Sequence, residues 1–179
     1  MRFSAIPLAG AYIVDIDRAS DERGFFARTF CAREFAAYGF NAAALECSAS
    51  FNARTATLRG MHYQAPPHEE DKLVRCTAGA VFDVIVDIRS GSPSFGQWFG
   101  TELSASNHRA LLAPKGFAHG FISLADASEV LYMISARHEP AAARGFLWND
   151  PKVGIAWPLQ PLVISARDAA YQPLEHGHC

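Results

Sequence analysis

Near the middle of the chain, Leu58-Arg59-Gly60-Met61-His62-Tyr63-Gln64 is followed closely by Lys72-Leu73-Val74-Arg75. The two runs put one imidazole, two guanidiniums and one ammonium into a stretch that otherwise reads as β-structure. Alternate residues of a strand share a face. Arg59, Met61 and Tyr63 are therefore expected on one face, and Gly60, His62 and Gln64 on the other. A histidine between glycine and glutamine, on a face that needs neither for an apolar core, is a candidate general base. The neighbouring cations suit an anionic substrate. A surface strand with scattered charges is the alternative these residues alone leave open.

Three further segments carry reactive side chains. Asp21-Glu22-Arg23-Gly24 reads alone as a polar turn, but Phe25 and Phe26 follow it. In a strand those two rings point to opposite faces, one to a core and one outward for stacking. Pro114-Lys115-Gly116 is turn chemistry, and His119 just beyond it reads alone as a hydrogen-bonded core histidine. Tyr132, within Val130-Leu131-Tyr132-Met133-Ile134, reads as a core aromatic unless its hydroxyl reaches a cavity. Asp168 reads alone as a surface charge on a helix.

The elements that must position these groups are mostly short strands. Residues 80–88 are dense in β-branched side chains and follow Gly79. Residues 95–103, 108–113, 120–124 and 129–135 are further strand candidates, separated by Gly, Pro, Ser and Asn clusters. Short strands at roughly ten-residue spacing with turn chemistry between them predict an all-β sandwich or small barrel, whose mouth is the natural ligand site. Helix signals are few. Residues 32–38 form one candidate, ended by Gly39, and residues 165–170 another, while residues 140–143 read as a turn.

Composition sets outer bounds. The 179 residues fit one domain with a substantial core, taken as spanning residues 1–179. Half are hydrophobic and 19% are charged, as in a globular chain. Sixteen Lys and Arg against 18 Asp and Glu give a net charge of −2, which argues against bulk binding of nucleic acid. No run approaches the ~20 apolar residues of a membrane span. The apolar start is interrupted by Pro7 and followed by Asp15 and Asp17, so it reads as a first strand rather than a signal peptide. Cys31, Cys47, Cys76 and Cys179 show no metal-site spacing. Free thiols in a reducing cytoplasm are the expectation.

Taken together, the motifs resemble the dTDP-4-dehydrorhamnose 3,5-epimerases, a family of jelly-roll, cupin-like sugar-nucleotide epimerases. The resemblance runs from about Asp21 to Asp168. It rests on Asp21-Glu22-Arg23-Gly24-Phe25-Phe26, on Leu58 through Gln64, and on Lys72-Leu73-Val74-Arg75-Cys76. It also rests on Phe82-Asp83-Val84, Val86-Asp87-Ile88-Arg89, Ser92-Pro93-Ser94-Phe95-Gly96-Gln97-Trp98, the run Pro114 through Phe121, Trp148-Asn149-Asp150 and Ser165-Ala166-Arg167-Asp168.

The resemblance implies an all-β jelly roll with a few short helices. It implies an epimerase that inverts C3, C5 or both on a nucleotide-linked 4-keto-6-deoxyhexose, with no metal and no redox cofactor. Within it His62 is the base, Asp168 its partner, Lys72 the stabiliser of the enolate and Tyr132 the proton donor on the opposite ring face. Arg23 and Arg59 bind phosphate, Phe26 packs on base or sugar, and His119 lies beside the pocket. A cytoplasmic homodimer is also implied, in which the segment around Asp21 to Arg28 completes the neighbour's pocket.

Four positions depart from the family pattern: Arg28 stands for an acidic residue, Cys47 and Ala49 for Gln and Asn, and His138 for a second aromatic hydroxyl. These departures leave dTDP, CDP and GDP open as the nucleotide. A metal-dependent cupin enzyme, a 3,4-ketoisomerase and a non-catalytic sugar-nucleotide binder are the competing readings. The first lacks a His-x-His pair, since His62 and His68 are six residues apart.

Overall fold

The computed structural model describes residues 1–43 and 45–175. The chain order begins with β1 (Arg2–Ala5), β2 (Tyr12–Asp15), β3 (Ala19–Asp21), β4 (Gly24–Phe26), α1 (Ala32–Ala36), β5 (Glu46–Asn52) and β6 (Thr57–Gln64). It continues with β7 (Lys72–Ala78), β8 (Ala80–Asp87), β9 (Trp98–Ser104), β10 (Ala110–Ala113), β11 (Phe117–Ser123) and β12 (Ser128–Ile134). It closes with β13 (Ala143–Gly145), β14 (Val163–Ile164) and α2 (Ala166–Ala169).

Two large sheets carry the architecture. One has the order β1-β2-β10-β7-β12-β5, and the other β13-β6-β11-β8-β9 with β14 added alongside β6. Only the β14 pairing is parallel among these. Neighbours in space are mostly distant in sequence, as expected of a jelly roll. The fold class anticipated from the sequence is the one observed.

Apart from Asp83 and Asp87, the strand β8 is apolar on both of its faces. Val81 and Ile85 enter the core between the sheets with Val74, Leu111, Phe121 and Val130. Val84 and Val86 point the other way, into a second cluster covered by Phe146, Val153 and Leu174. A strand buried on both faces carries hydrophobic residues on both rather than in strict alternation. The outer face of the first sheet is sealed by Phe35 of α1 and by Phe40, over Val14, Leu73, Ala110 and Leu112.

Most predicted elements appear with shifted ends. The strand expected at 95–103 begins only at Trp98, because Ser92 to Gln97 form hydrogen-bonded turns. The strand expected from residue 120 begins at Phe117. The helix expected over 32–38 closes at Ala36, with Gly39 at φ +88°. Residues 139–143 form a turn, and Arg2–Ala5 is the first strand. Cys31, Cys47 and Cys76 are free thiols, while Cys179 lies outside the described residues. Among the described residues no helix is long and apolar enough to cross a membrane.

Candidate active site

Pairing between β6 and β11 fixes the central histidine. His62 lies opposite His119, and Arg59 opposite Phe121. Between these pairs β6 supplies Gly60 and Met61 while β11 supplies Gly120 alone, so β6 carries a one-residue bulge. The bulge corrects the simple alternation: Arg59 and His62 share a face instead of opposing one another. Glycine is required on both strands. A Cβ on Gly60, which sits at φ +141°, would lie 2.7 Å from the Gly120 Cα. A Cβ on Gly120 would lie 2.9 Å from the Arg59 carbonyl oxygen.

His62 lines a cavity of about 320 Å³ with Lys72, His119, Tyr132 and His138. Its Nε2 is 2.8 Å from Asp168 Oδ1. The other carboxylate oxygen, Oδ2, accepts the Gly60 N–H at 3.2 Å. Asp168 is buried on α2, where its own N–H donates to the capping Ser165 hydroxyl at 3.0 Å. The surface-charge alternative is thereby corrected. Burial pushes the Asp168 carboxyl up, but the His62 bond and charge, the Gly60 N–H and Ser165 outweigh it and hold its pKa below the usual value. With Nε2 committed to Asp168, Nδ1 is the His62 nitrogen left for chemistry.

A second dyad stands directly behind. His119 Nε2 is 2.7 Å from Asp83 Oδ1, and both side chains are buried. The ring of His119 meets Tyr132 edge-on, with centroids 5.7 Å apart. Tyr132 belongs to β12, in the opposite sheet from His62. Burial, then the Asp83 charge, pushes its phenol well above the ordinary value, so it is a neutral donor.

Lys72 begins β7 and is buried. Its ammonium lies 2.9 Å from Glu70 Oε1 and donates to the His62 carbonyl at 3.4 Å. Arg59 reaches across to β5, where its Nε donates to Asn52 Oδ1 at 2.9 Å and its Nη2 to the Phe51 carbonyl at 3.2 Å. A second cavity, bounded by Arg59, Ser165 and Asp168, shares His62 and Arg167 with the first. The two therefore adjoin, with His62 at their junction and Arg59 in the second.

Other anticipated residues lie elsewhere. Arg23 and Phe26 sit on the separate β3–β4 hairpin and line neither cavity. Arg23 pairs with Asp21, and Phe26 is 80% exposed. Phe25 is not core either: it is 43% exposed, edge-on to His108 and under the Arg18 guanidinium. Arg28 lies 3.7 Å from Glu34. On β5 the cavity-lining residues are Glu46 and Ser48, while the alternate Cys47 and Ala49 are exposed. The His138 N–H donates to Glu46 Oε2 at 3.3 Å.

Asp83, Glu70, Glu46, Arg167 and Tyr171 complete the site without having been assigned roles from sequence. Tyr171 packs against Gly145, faces the His62 ring edge-on and accepts from Arg167 Nε at 2.7 Å. Asp83 had a legible signal, a carboxylate sharing strand phase with Val81 and Ile85 on the inner face of β8.

The family model for dTDP-4-dehydrorhamnose 3,5-epimerase matches residues 5–176. A curated relative from Shigella flexneri, named dTDP-4-dehydrorhamnose 3,5-epimerase, is 44% identical over 149 residues, covering 83% of this chain and 82% of the relative. The crystal structure of the Bacillus anthracis dTDP-4-dehydrorhamnose 3,5-epimerase with TDP and PPi bound superposes with a TM-score of 0.90 at 35% identity. It covers 97% of this chain and 100% of that one. The Legionella pneumophila enzyme, in complex with dTDP-4-keto-L-rhamnose, gives a TM-score of 0.89 at 36% identity, covering 96% of this chain and 92% of that one.

Proposed function

The chain belongs to the dTDP-4-dehydrorhamnose 3,5-epimerase family, and on that premise we propose how its own residues perform the reaction. The protein is an isomerase that epimerises a nucleotide-linked 4-keto-6-deoxyhexose at C3/C5. Protons on carbons flanking a ketone are acidic because the ketone takes up the charge as an enolate. The reaction needs a base, a stabiliser for the enolate oxygen and a proton donor on the opposite ring face.

One observation carries the assignment: His62 and Tyr132 line a single cavity from opposite sheets. In our reading His62 Nδ1 removes the proton while Asp168 stabilises the imidazolium that forms. Lys72 supplies a positive charge to the C4 oxygen. Tyr132 returns a proton from the other face. His119, held by Asp83, packs behind Tyr132 and sets its ring.

The nucleotide is proposed to be dTDP, in line with the ligands of the two structural relatives. Arg59 takes a phosphate oxygen in the adjoining cavity, where a planar fork binds well. His138 lines the sugar end. We propose a homodimer, because Arg23 and Phe26 stand on an exposed hairpin away from their own cavity and are free to enter a neighbour's. A cytoplasmic setting is consistent with the three free cysteines among the described residues.

Solvent deuterium incorporation tests this function. The enzyme is incubated in D₂O with dTDP-, CDP- and GDP-linked 4-keto-6-deoxyhexoses and followed by NMR and mass spectrometry. Deuterium at C3 or C5 with the dTDP sugar, lost in His62→Ala, is the expected outcome. Label with CDP or GDP sugars alone would overturn the nucleotide assignment, and label retained in His62→Ala would overturn the base.

A further inference from the structure

We propose that Glu70 is a positioning residue for Lys72, fixing the ammonium so that one N–H is left for the ketone oxygen. The inference rests on the reading of Lys72 given above and adds to it the group that holds the charge in place.

An ammonium has three donors and no acceptor. Two have partners: Glu70 Oε1 at 2.9 Å and the His62 carbonyl at 3.4 Å. Among the described residues the ammonium has no third partner, and Lys72 lines the cavity, so the remaining N–H is available to a ligand. The bond to the His62 carbonyl also ties the ammonium to the backbone of the base.

Glu70 is itself held. Its Oε2 accepts from Gln64 Nε2 at 2.9 Å. The same Gln64 nitrogen, whose two N–H groups are shared among three acceptors, also lies 2.9 Å from the His68 carbonyl and 3.2 Å from the Arg137 carbonyl, while Gln64 Oε1 accepts the Glu139 N–H at 2.7 Å. The carboxylate is thus fixed from the end of β6 and the loop after β12. The Lys72 and Glu70 side chains are only 9% and 10% exposed, so little water is present to replace either partner.

A buried ammonium without a counter-charge is costly, and a four-carbon stem has many rotamers to escape into. Glu70 removes both problems before substrate arrives. A carboxylate near a developing enolate also repels it. That repulsion is offset because Glu70 is ion-paired with Lys72 at hydrogen-bond distance, so the pair offers the ketone an N–H donor rather than a net charge. What it provides is a fixed donor, which needs no reorganisation as the enolate forms.

The test compares Glu70→Gln, Glu70→Ala and Lys72→Met with the parent enzyme. The measurements are kcat and KM on the dTDP-linked 4-keto sugar, deuterium exchange, and dTDP affinity by calorimetry. A positioning role predicts kcat and exchange reduced by about ten- to a hundredfold in Glu70→Ala. The reduction is smaller in Glu70→Gln, which keeps an acceptor oxygen, and KM and dTDP affinity stay within about threefold. If Glu70→Ala does not fold, the near-isosteric Glu70→Gln decides. Unchanged kcat in the Glu70 variants while Lys72→Met abolishes exchange would overturn the role of Glu70 alone. Full exchange in Lys72→Met would overturn the reading of Lys72. A parallel loss of kcat and dTDP affinity in Glu70→Gln would mean a general structural role and count against the proposal.

Discussion

His62 and His119 are direct partners across β6 and β11, and each turns Nε2 to a carboxylate, at 2.8 Å and 2.7 Å. The dyads look alike but differ in access. The His62 side chain is 39% exposed and that of His119 is 5%. A general base must reach solvent or substrate, and His62 is exposed enough to do so. His119 is enclosed by Asp83 and the Tyr132 ring and is suited to holding a shape.

The geometry at Asp168 makes its amide variant informative. The Gly60 N–H fixes one carboxylate oxygen as an acceptor. In Asp168→Asn the new carbonyl takes that N–H, and the new NH₂ is turned toward His62 Nε2. Nε2 must then accept, which moves the ring proton to Nδ1 and removes the lone pair that abstracts the substrate proton. We expect kcat to fall by at least ~10²-fold, following the behaviour of His–Asp pairs in hydrolases, while dTDP affinity changes little. A kcat within a few-fold of the parent would show that Asp168 does not set the tautomer.

In the proposed mechanism Tyr132 and His62 act on opposite ring faces, so their variants separate exchange from inversion. Tyr132→Phe removes only the hydroxyl and keeps the edge contact with His119. In D₂O, His62 still removes the proton and returns deuterium to the same face. Labelled substrate with unchanged configuration is expected to accumulate, with inversion slowed by about 10²-fold or more. Equal losses of exchange and inversion would place Tyr132 outside the reprotonation step.

How far the sequence discloses this site follows from its physics. His62, Lys72, His119, Tyr132 and Asp168 were legible through the family resemblance, although His119 and Tyr132 read alone as core side chains and Asp168 as a surface charge. The shared face of Arg59 and His62 was not. Alternation presumes a regular strand, and the Gly60–Met61 bulge adds one residue whose only sequence trace is a glycine that must face Gly120. Glu70 lies in the loop before β7, where no periodicity applies, and its role comes from Gln64 and Lys72 converging on it. Phe25 and Phe26 escaped sorting into core and surface because the β3–β4 hairpin is a two-stranded sheet apart from the two large ones.

Asp87 gives the fold a predictable acid limit. It is fully buried at the end of β8, where Oδ1 accepts the Arg89 N–H at 3.0 Å and Arg89 Nε at 2.9 Å. Oδ2 accepts from Arg89 Nη2, Ser92 and Ser94 at 2.6, 2.7 and 2.6 Å. Burial alone raises its pKa, but these bonds more than offset burial and bring the carboxyl down from 3.8 to about 2. A folded pKa below the unfolded one means the unfolded chain binds the proton more readily. The stabilisation is therefore complete above about pH 4 and is lost as the pH falls through about 2. The difference corresponds to about 2 kcal/mol. Asp87→Asn is expected to unfold at lower urea concentration than the parent at neutral pH, with the gap narrowing steadily below about pH 4. A gap that stays constant down to about pH 2 would mean that the Arg89, Ser92 and Ser94 bonds do not act through the charge of Asp87.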